Sequence, residues 1–118
     1  MKTPILETER LILRPLTAAD APAVFRCAGD ERVTRYMSYK RHETTADTLK
    51  WLQSIDNDSD TSYDFGFIEK ASGELIGVGG LYREAERQQW RLGYYLRYDR
   101  WHRGFTTEAA VKIVQFAK

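Results

Sequence analysis

Hydrophobic positions in the first quarter of the chain predict a strand followed by a helix. The apolar run Leu11–Pro15 is closed by proline and has the composition of a short strand. Thr17–Asp20 then supplies residues that favour a helix start, with a hydroxyl to accept from a free N–H and a carboxylate near the positive end of the helix dipole. Apolar residues recur at helical spacing over Val24–Ala28, and Gly29 is expected to end the helix.

The next segment predicts an irregular connection and a second amphipathic helix. Asp30–His42 has no clear period, and Thr44 or Thr45 stands where a helix N-cap is expected. The apolar positions after this cap repeat at helical spacing: Leu49, Trp51, Leu52 and Ile55. Asp56–Asp60 is rich in carboxylates, but it lacks the glycine and glutamate that a calcium loop needs, so we interpret it as a solvated loop.

Three strands and a last helix follow. The predicted strands are Phe65–Glu69, Glu74–Tyr82 and Trp90–Leu96, and a turn ending in Gly73, where positive φ is expected, joins the first two. Thr107–Lys118 is predicted to be helical, with Glu108 and Lys112 paired one turn apart. The order β-α-α-β-β-β-α predicts an α+β fold around a mainly antiparallel sheet.

The pattern predicts a single domain over residues 1–118 that is incomplete at its C-terminal end. The last predicted helix is apolar on nearly all sides, so we expect other elements to pack against it on two opposite sides. A further strand beside Trp90–Leu96 would supply part of that cover. Without it, we expect an open sheet edge that a homodimer could cover.

Composition and charge limit the partners, the ligands and the location that the protein could have. The formal net charge of +1 argues against general binding to nucleic acid or to an anionic membrane. Arginines are concentrated between Arg83 and Arg103, which suits a small anionic ligand. Cys27 is the only cysteine, so an internal disulfide is impossible, and its helical, apolar setting predicts a buried structural thiol. With no signal-like or membrane-length apolar run, we expect a cytoplasmic protein.

The loop Arg97–Gly104 is the candidate for chemistry. It is basic and leads directly into the last predicted helix, whose first N–H groups form an anion site. Gly104 permits positive φ and close approach of a phosphate. Local rules support equally a plain strand-to-helix turn with a solvated basic rim.

Other ligand motifs are excluded by their context. No Gly-x-x-x-x-Gly-Lys-Ser/Thr run occurs, and the Gly77–Gly80 cluster lies inside a predicted strand with no helix after it, unlike a dinucleotide-binding turn. Those glycines instead predict a bulge or a close approach of another backbone. No metal site is expected, because His42 and His102 share no ligand spacing with other candidates.

The motifs taken together resemble the GNAT superfamily of N-acetyltransferases. Leu92–Leu96 (LGYYL), a short loop and then Trp101–Ala109 (WHRGFTTEA) are similar to the acetyl-CoA motif of the branch that includes the ribosomal-protein alanine N-acetyltransferases. Thr8–Leu16 resembles the opening of the same branch, and Glu74–Gly77 matches its later strand. The resemblance runs through the whole chain in order.

The resemblance implies a function and a set of contacts. The protein would move an acetyl group from acetyl-CoA, its cosubstrate, to a primary amine on a protein N-terminus or a small molecule. Exposed main chain at Tyr95, Leu96 and Arg97 would pair with the pantetheine arm, and an amide there would polarise the thioester carbonyl. Amides in the following turn would hold the pyrophosphate; these residues are His102, Arg103, Gly104, Phe105, Thr106 and Thr107.

Departures from the family pattern leave the rest open. Arg91 stands where many relatives carry a glutamate, which removes one base candidate and suggests an acidic acceptor, so no catalytic acid or base is assigned. Tyr36, Met37 and Tyr82, together with Trp51, would either line an acceptor pocket or be core residues. The alternative to an enzyme is a non-catalytic CoA-binding or dimerisation module built from half of the fold.

Overall fold

A computed structural model describes residues 3–35, 41–58, 61–84 and 89–117. The described residues form one antiparallel sheet, whose five strands lie side by side in chain order. The strands are β1 (Leu6–Glu7), β2 (Leu11–Pro15), β3 (Ser62–Glu69), β4 (Leu75–Glu84) and β5 (Gln89–Leu96). The α-helices are α1 (Ala21–Ala28), α2 (Glu31–Thr34), α3 (Thr45–Gln53) and α4 (Phe105–Ala117), and short 3-10 turns cover Ala18–Asp20 and Tyr98–Arg100.

This architecture confirms the predicted α+β class and antiparallel sheet, with differences at several elements. One is β3, which begins at Ser62, three residues before its predicted start. A two-residue strand, β1, precedes the predicted first strand and pairs with it. The connection predicted to be irregular contains α2, because the Asp30 carboxylate accepts from the Arg32 N–H at 2.8 Å and caps a short helical turn. The last helix begins at Phe105, two residues before its predicted start. No helix among the described residues is long and apolar enough to cross a membrane.

Alternation along β3 separates two hydrophobic layers. Tyr63, Phe65 and Phe67 point to the face that α4 covers, where they belong to one core cluster with buried α4 residues such as Ile113. The opposite face packs against α1 and α3. Its cluster includes Val24, Cys27 and Leu52 from the helices, with Val78 and Tyr95 from the sheet.

Cys27 has the structural role that its sequence setting predicted. Its side chain is fully buried, and its sulfur lies 3.6 Å from the Ile76 carbonyl oxygen. Burial raises the pKa of the Cys27 thiol to about 12, so the thiolate that a nucleophile requires is suppressed.

The helix caps settle one alternative. Thr44, not Thr45, is the N-cap of α3: its hydroxyl accepts from the Asp47 N–H at 3.3 Å, and the Asp47 carboxylate accepts from the Thr44 N–H at 3.2 Å. At the start of α1, Asp20 accepts from the Thr17 N–H at 2.8 Å and is also paired with Arg14.

The glycines of β4 produce both features that the sequence offered as alternatives. The pairing of β3 with β4 shifts register between Phe67 and Ile68, so Gly77 and Leu75 are the successive partners there. At Gly80 the backbones approach so closely that a Cβ atom would stand 2.0 Å from the Tyr63 carbonyl oxygen.

We predict that Gly80→Ala lowers the free energy of unfolding by about 3 kcal/mol, because β3 and β4 must separate to admit the methyl group. The matched substitution Gly73→Ala has no neighbour within 4 Å and suffers only from its φ of 73°, so it should cost about 1 kcal/mol. Urea denaturation measures both. Equal losses would contradict the close approach at Gly80.

Candidate functional site

The segment that joins β5 to α4 makes a tight turn through two left-handed residues. Gly104 has a φ of 79°, as its sequence position predicted, and His102 has a φ of 64°. Left-handed geometry is uncommon at a residue that carries a side chain, so His102 is held there by its surroundings. The helix begins at the next residue after Gly104, and the first N–H groups of α4 have no acceptor within the helix.

A groove of about 250 Å³ lies between this turn and the end of β5. Six of the predicted contact residues line it: Tyr95, Leu96, His102, Gly104, Phe105 and Thr106. Tyr94, Arg100 and Trp101 complete the lining. Arg103 and Thr107 lie in the same turn but are not part of the wall, and Arg103 is exposed to solvent.

Arg97 is a correction to the predicted set. Its N–H donates to the Ile76 carbonyl oxygen at 2.6 Å, and its own carbonyl accepts from the Arg100 N–H at 2.9 Å. Its side chain is only 7% exposed and forms ion pairs with Asp99 and Glu74. Because both main-chain groups are already engaged, the prediction of an exposed backbone is wrong at Arg97.

Leu96 is the residue at which the open edge is available. In an antiparallel ladder the outward and inward peptide groups alternate, so the inward bond of Arg97 directs the N–H and C=O of Leu96 away from β4. The Trp101 indole confirms this direction, since its Nε1–H donates to the Leu96 carbonyl at 2.8 Å. By the same alternation the N–H and C=O of Tyr94 face outward and those of Tyr95 face β4, so the predicted exposed main chain is wrong at Tyr95 as well.

A polar clamp fixes the turn from the other end of the chain. The Glu108 carboxylate in the first turn of α4 accepts from the Thr8 hydroxyl, from the Arg10 N–H at 2.9 Å and from the Arg10 Nε–H at 2.8 Å. Arg10 also donates to the Arg103 carbonyl oxygen at 3.0 Å, and its guanidinium lies 4.1 Å from the centre of the Phe105 ring. Thr8, Arg10 and Glu108 are hereafter called the clamp.

Sequence reasoning missed the clamp. It predicted that Glu108 would pair with Lys112 along the helix, whereas Glu108 in the structure turns to Arg10. Burial raises the pKa of the Glu108 carboxyl, but the hydrogen bonds from Thr8 and Arg10 lower it by more, so the pKa lies below its ordinary value. The sequence feature that could have revealed the clamp is the polar start of the Thr8–Leu16 segment. These polar residues precede a strand and have no evident local role.

The predicted acceptor residues divide into three groups. Tyr82 and Arg91 are cross-strand neighbours on the face of the sheet that α1 and α3 cover, with the guanidinium 5.9 Å from the ring centre. Trp51 packs half-buried against the core cluster of that face, which favours its core interpretation. Tyr36 and Met37 lie outside the described residues.

Asp64 is a second residue that sequence reasoning missed. It belongs to an acidic stretch of sequence, yet it is only 7% exposed, and it accepts from the Tyr82 hydroxyl at 2.6 Å. Burial raises the pKa of the Asp64 carboxyl, while the hydrogen bond from Tyr82 acts in the opposite direction. The sequence feature that could have revealed Asp64 is a carboxylate in a strand, with small residues as its neighbours on the same face. Within the described ranges, no group of three metal-ligating side chains occurs.

We predict that Glu108→Gln destabilises the protein by about 2 kcal/mol at pH 7, since hydrogen bonds to a charged group are lost. The folded pKa of Glu108 is depressed, so its contribution is present above the unfolded pKa of about 4.3 and is lost as pH falls through the folded value. Wild type and variant should therefore converge in acid. Glu9→Gln, at an exposed position, is the control. A constant difference from pH 7 to pH 3 in denaturation curves would count against the clamp.

Comparisons with known proteins identify the family of this chain. A family model described as an acetyltransferase (GNAT) domain matches residues 10–118. The uncharacterized N-acetyltransferase YoaA of Bacillus subtilis is 32% identical in an alignment over 116 residues, and the match covers 96% of this chain and 66% of that protein.

Solved structures show the same fold. A GNAT-family acetyltransferase from Bacillus anthracis aligns with a TM-score of 0.83 at 19% identity, covering 97% of this chain and 66% of that one. The ribosomal-protein-S5-alanine acetyltransferase of Vibrio fischeri aligns with a TM-score of 0.73 at 15% identity, covering 96% and 66%. The chain spans slightly less than two thirds of the length of these relatives. It belongs to the GNAT acetyltransferase family.

Proposed function

We propose that this chain carries the acetyl-CoA site of an N-acetyltransferase that transfers the acetyl group to a primary amine. The observation that carries the proposal is the groove where the open edge of β5 meets the N-terminus of α4. One wall offers main-chain groups in strand geometry, and the other offers free helix N–H groups. An extended arm that ends in a pyrophosphate needs both.

The pyrophosphate would lie on the turn between the groove and α4. The left-handed residues His102 and Gly104 bring the main chain round, and Gly104 has no side chain to obstruct a phosphate oxygen. The first amides of α4, at Phe105, Thr106 and Thr107, would donate to it. Arg103 is exposed beside these amides and would add a charge-assisted bond.

The pantetheine arm would continue along β5 as an added strand. The outward N–H of Leu96 is a ready donor, and its carbonyl, now bound to Trp101, becomes an acceptor if the indole moves. An outward amide further along the same edge, near Tyr94, would lie where the thioester carbonyl can accept from it. Such a donor stabilises the negative charge that develops on the oxygen as an amine attacks.

The acceptor amine would approach from the face that carries Tyr82 and Arg91. Arg91 is exposed, so an acceptor with a carboxylate near its amine would gain an ion pair there. The relative from Vibrio fischeri acts, by its name, on an alanine of a ribosomal protein. A peptide with a free N-terminus is therefore the first acceptor to test, and Tyr36 and Met37 remain candidates for the same pocket.

We predict that the protein binds acetyl-CoA and that Arg103→Gln weakens binding about tenfold, because one charge-assisted bond to phosphate is lost. Acetyl-pantetheine, which lacks the pyrophosphate, should bind much more weakly than acetyl-CoA and should not distinguish variant from wild type. Isothermal calorimetry measures these affinities. Arg83→Gln, an exposed arginine towards the far end of β4, is the matched control and should bind normally.

Two results would contradict the proposal. One is the absence of acetyl-CoA binding by folded protein. The other is binding with no release of free thiol when peptides bearing each natural N-terminal residue, amino acids and polyamines are supplied together. That second result would favour the non-catalytic CoA-binding module instead.

A further inference from the structure

A strip of sheet surface without side chains leads from Asp64 to the open edge of β5. The register aligns Asp64 on β3 with Gly80 on β4, and Gly80 with Gly93 on β5. Strands lie about 4.8 Å apart, so Asp64 is about 10 Å from the backbone of the edge strand. The position beside Asp64 on β4 and the next one on the edge strand are both glycines, so neither carries a Cβ atom.

Tyr82 bridges this strip. Its ring carbon Cε2 lies 3.4 Å from the point where a Cβ atom of Gly93 would stand, and its hydroxyl lies 3.1 Å from the corresponding point at Gly80. The hydroxyl donates to Asp64 Oδ1 at 2.6 Å. A Cβ atom at Gly80 would crowd the phenol oxygen, whereas one at Gly93 would make only van der Waals contact with the ring. Gly80 is therefore what allows the phenol oxygen to lie over β4 beside the buried carboxylate.

Two arginines on the same face of the sheet as Asp64 have carboxylate partners of their own. Arg14, one strand away on the same face, is held by Asp20 at 2.8 Å. Arg91 is on the far side of the Tyr82 ring, with its guanidinium 5.9 Å from the ring centre, and makes its ion pair with Glu84. Burial raises the pKa of Asp64, which makes the carboxylate a better proton acceptor than an exposed aspartate.

The fold alone does not require a carboxylate at this position. An asparagine would accept the same hydrogen bond from Tyr82 without the cost of burying a charge. A buried carboxylate joined through a hydroxyl to the surface beside the edge strand is an arrangement for moving a proton.

We infer that Tyr82 is the catalytic residue that takes the proton of the acceptor ammonium, and that Asp64 is the positioning residue that receives the phenolic proton in exchange. The inference rests on the proposed acetyl transfer and names the base that the sequence left unassigned. The Tyr82 oxygen accepts the N–H proton as its own O–H proton passes to Asp64 Oδ1.

The remaining bond changes and proton transfers need no other side chain. The freed lone pair of the amine forms the C–N bond at the thioester carbonyl carbon, and the C–S bond breaks with its electron pair on sulfur. The second N–H proton leaves for the departing thiolate, which yields free CoA thiol. Asp64 then returns the first proton to solvent, so the net products are the amide, CoA thiol and one proton.

The test compares Asp64→Asn and Tyr82→Phe with the wild-type protein, using acetyl-CoA and the best amine from the peptide, amino-acid and polyamine panel. We expect kcat/KM for the amine to fall about 100-fold in each variant at pH 7. The rise of kcat/KM with pH through the pKa of Asp64 should disappear in Asp64→Asn. Calorimetric affinity for acetyl-CoA should remain within twofold of wild type.

Two control variants make the same substitutions, Tyr→Phe and Asp→Asn, at positions outside the proposed site. Tyr63→Phe removes the neighbouring tyrosine hydroxyl on the opposite face of β3, and Asp56→Asn removes a loop carboxylate. Both should keep the wild-type rate and pH profile. Urea denaturation checks folding, and Tyr82→Phe decides the matter if Asp64→Asn does not fold, because its ring can still cover Gly93.

Unchanged kcat/KM for the amine and an unchanged pH profile in a folded Tyr82→Phe protein would overturn the inference while leaving the proposed function intact. A hundredfold fall in kcat/KM with an unchanged pH profile in Asp64→Asn would also overturn it, since that pattern reports a structural role. Loss of acetyl-CoA binding or of turnover in the wild-type protein would instead contradict the proposed function, and the inference with it.

Discussion

The contact between Arg10 and Glu108 joins two segments that are 98 residues apart in the chain. One is the turn before β2, and the other is the first turn of α4. The contact is bidentate in effect, because the carboxylate receives both the main-chain N–H and the side-chain Nε–H of Arg10. The arginine then also reaches the Arg103 carbonyl, so the turn with its two left-handed residues is held between fixed points.

The position of α4 also determines which main-chain groups of β5 are open to a ligand. With α4 anchored against Phe65 and Phe67, the turn leaves β5 at Arg97, whose N–H still belongs to the ladder. The open edge therefore starts at Leu96. A ligand along that edge would meet the helix N-terminus directly. Thr8, Arg10 and Glu108 are not among the residues that line the groove.

The two faces of the sheet differ because of where the glycines lie. On the α4 face, Gly77 and Gly79 accommodate the rings of β3 residues, since a Cβ atom at either would be 3.0 Å or less from Phe67. On the other face, Gly80 leaves room for the phenol oxygen of Tyr82, whose ring also lies against Gly93. Glycine is thus used for packing on one side and for access on the other.

Much of this could be predicted from the sequence. Local patterns located the three longer helices and the four longer strands, limited the α3 cap to Thr44 or Thr45 and predicted the left-handed Gly73 and Gly104, because these depend on residues close in the chain. The contacts that define the site are long-range. Asp64 looked like one more residue of an acidic stretch until the register placed it opposite Gly80, and Arg97 looked exposed until the ladder bond to Ile76 engaged it.

The proposed function depends on binding of acetyl-CoA where the β5 edge meets the start of α4. A ¹⁵N–¹H NMR titration of the protein with acetyl-CoA measures this binding residue by residue. We expect the largest shifts at the amides of Leu96 and of Gly104–Thr107. Largest shifts on the opposite side, in the groove lined by Arg14, Asp20 and Glu74, would contradict it.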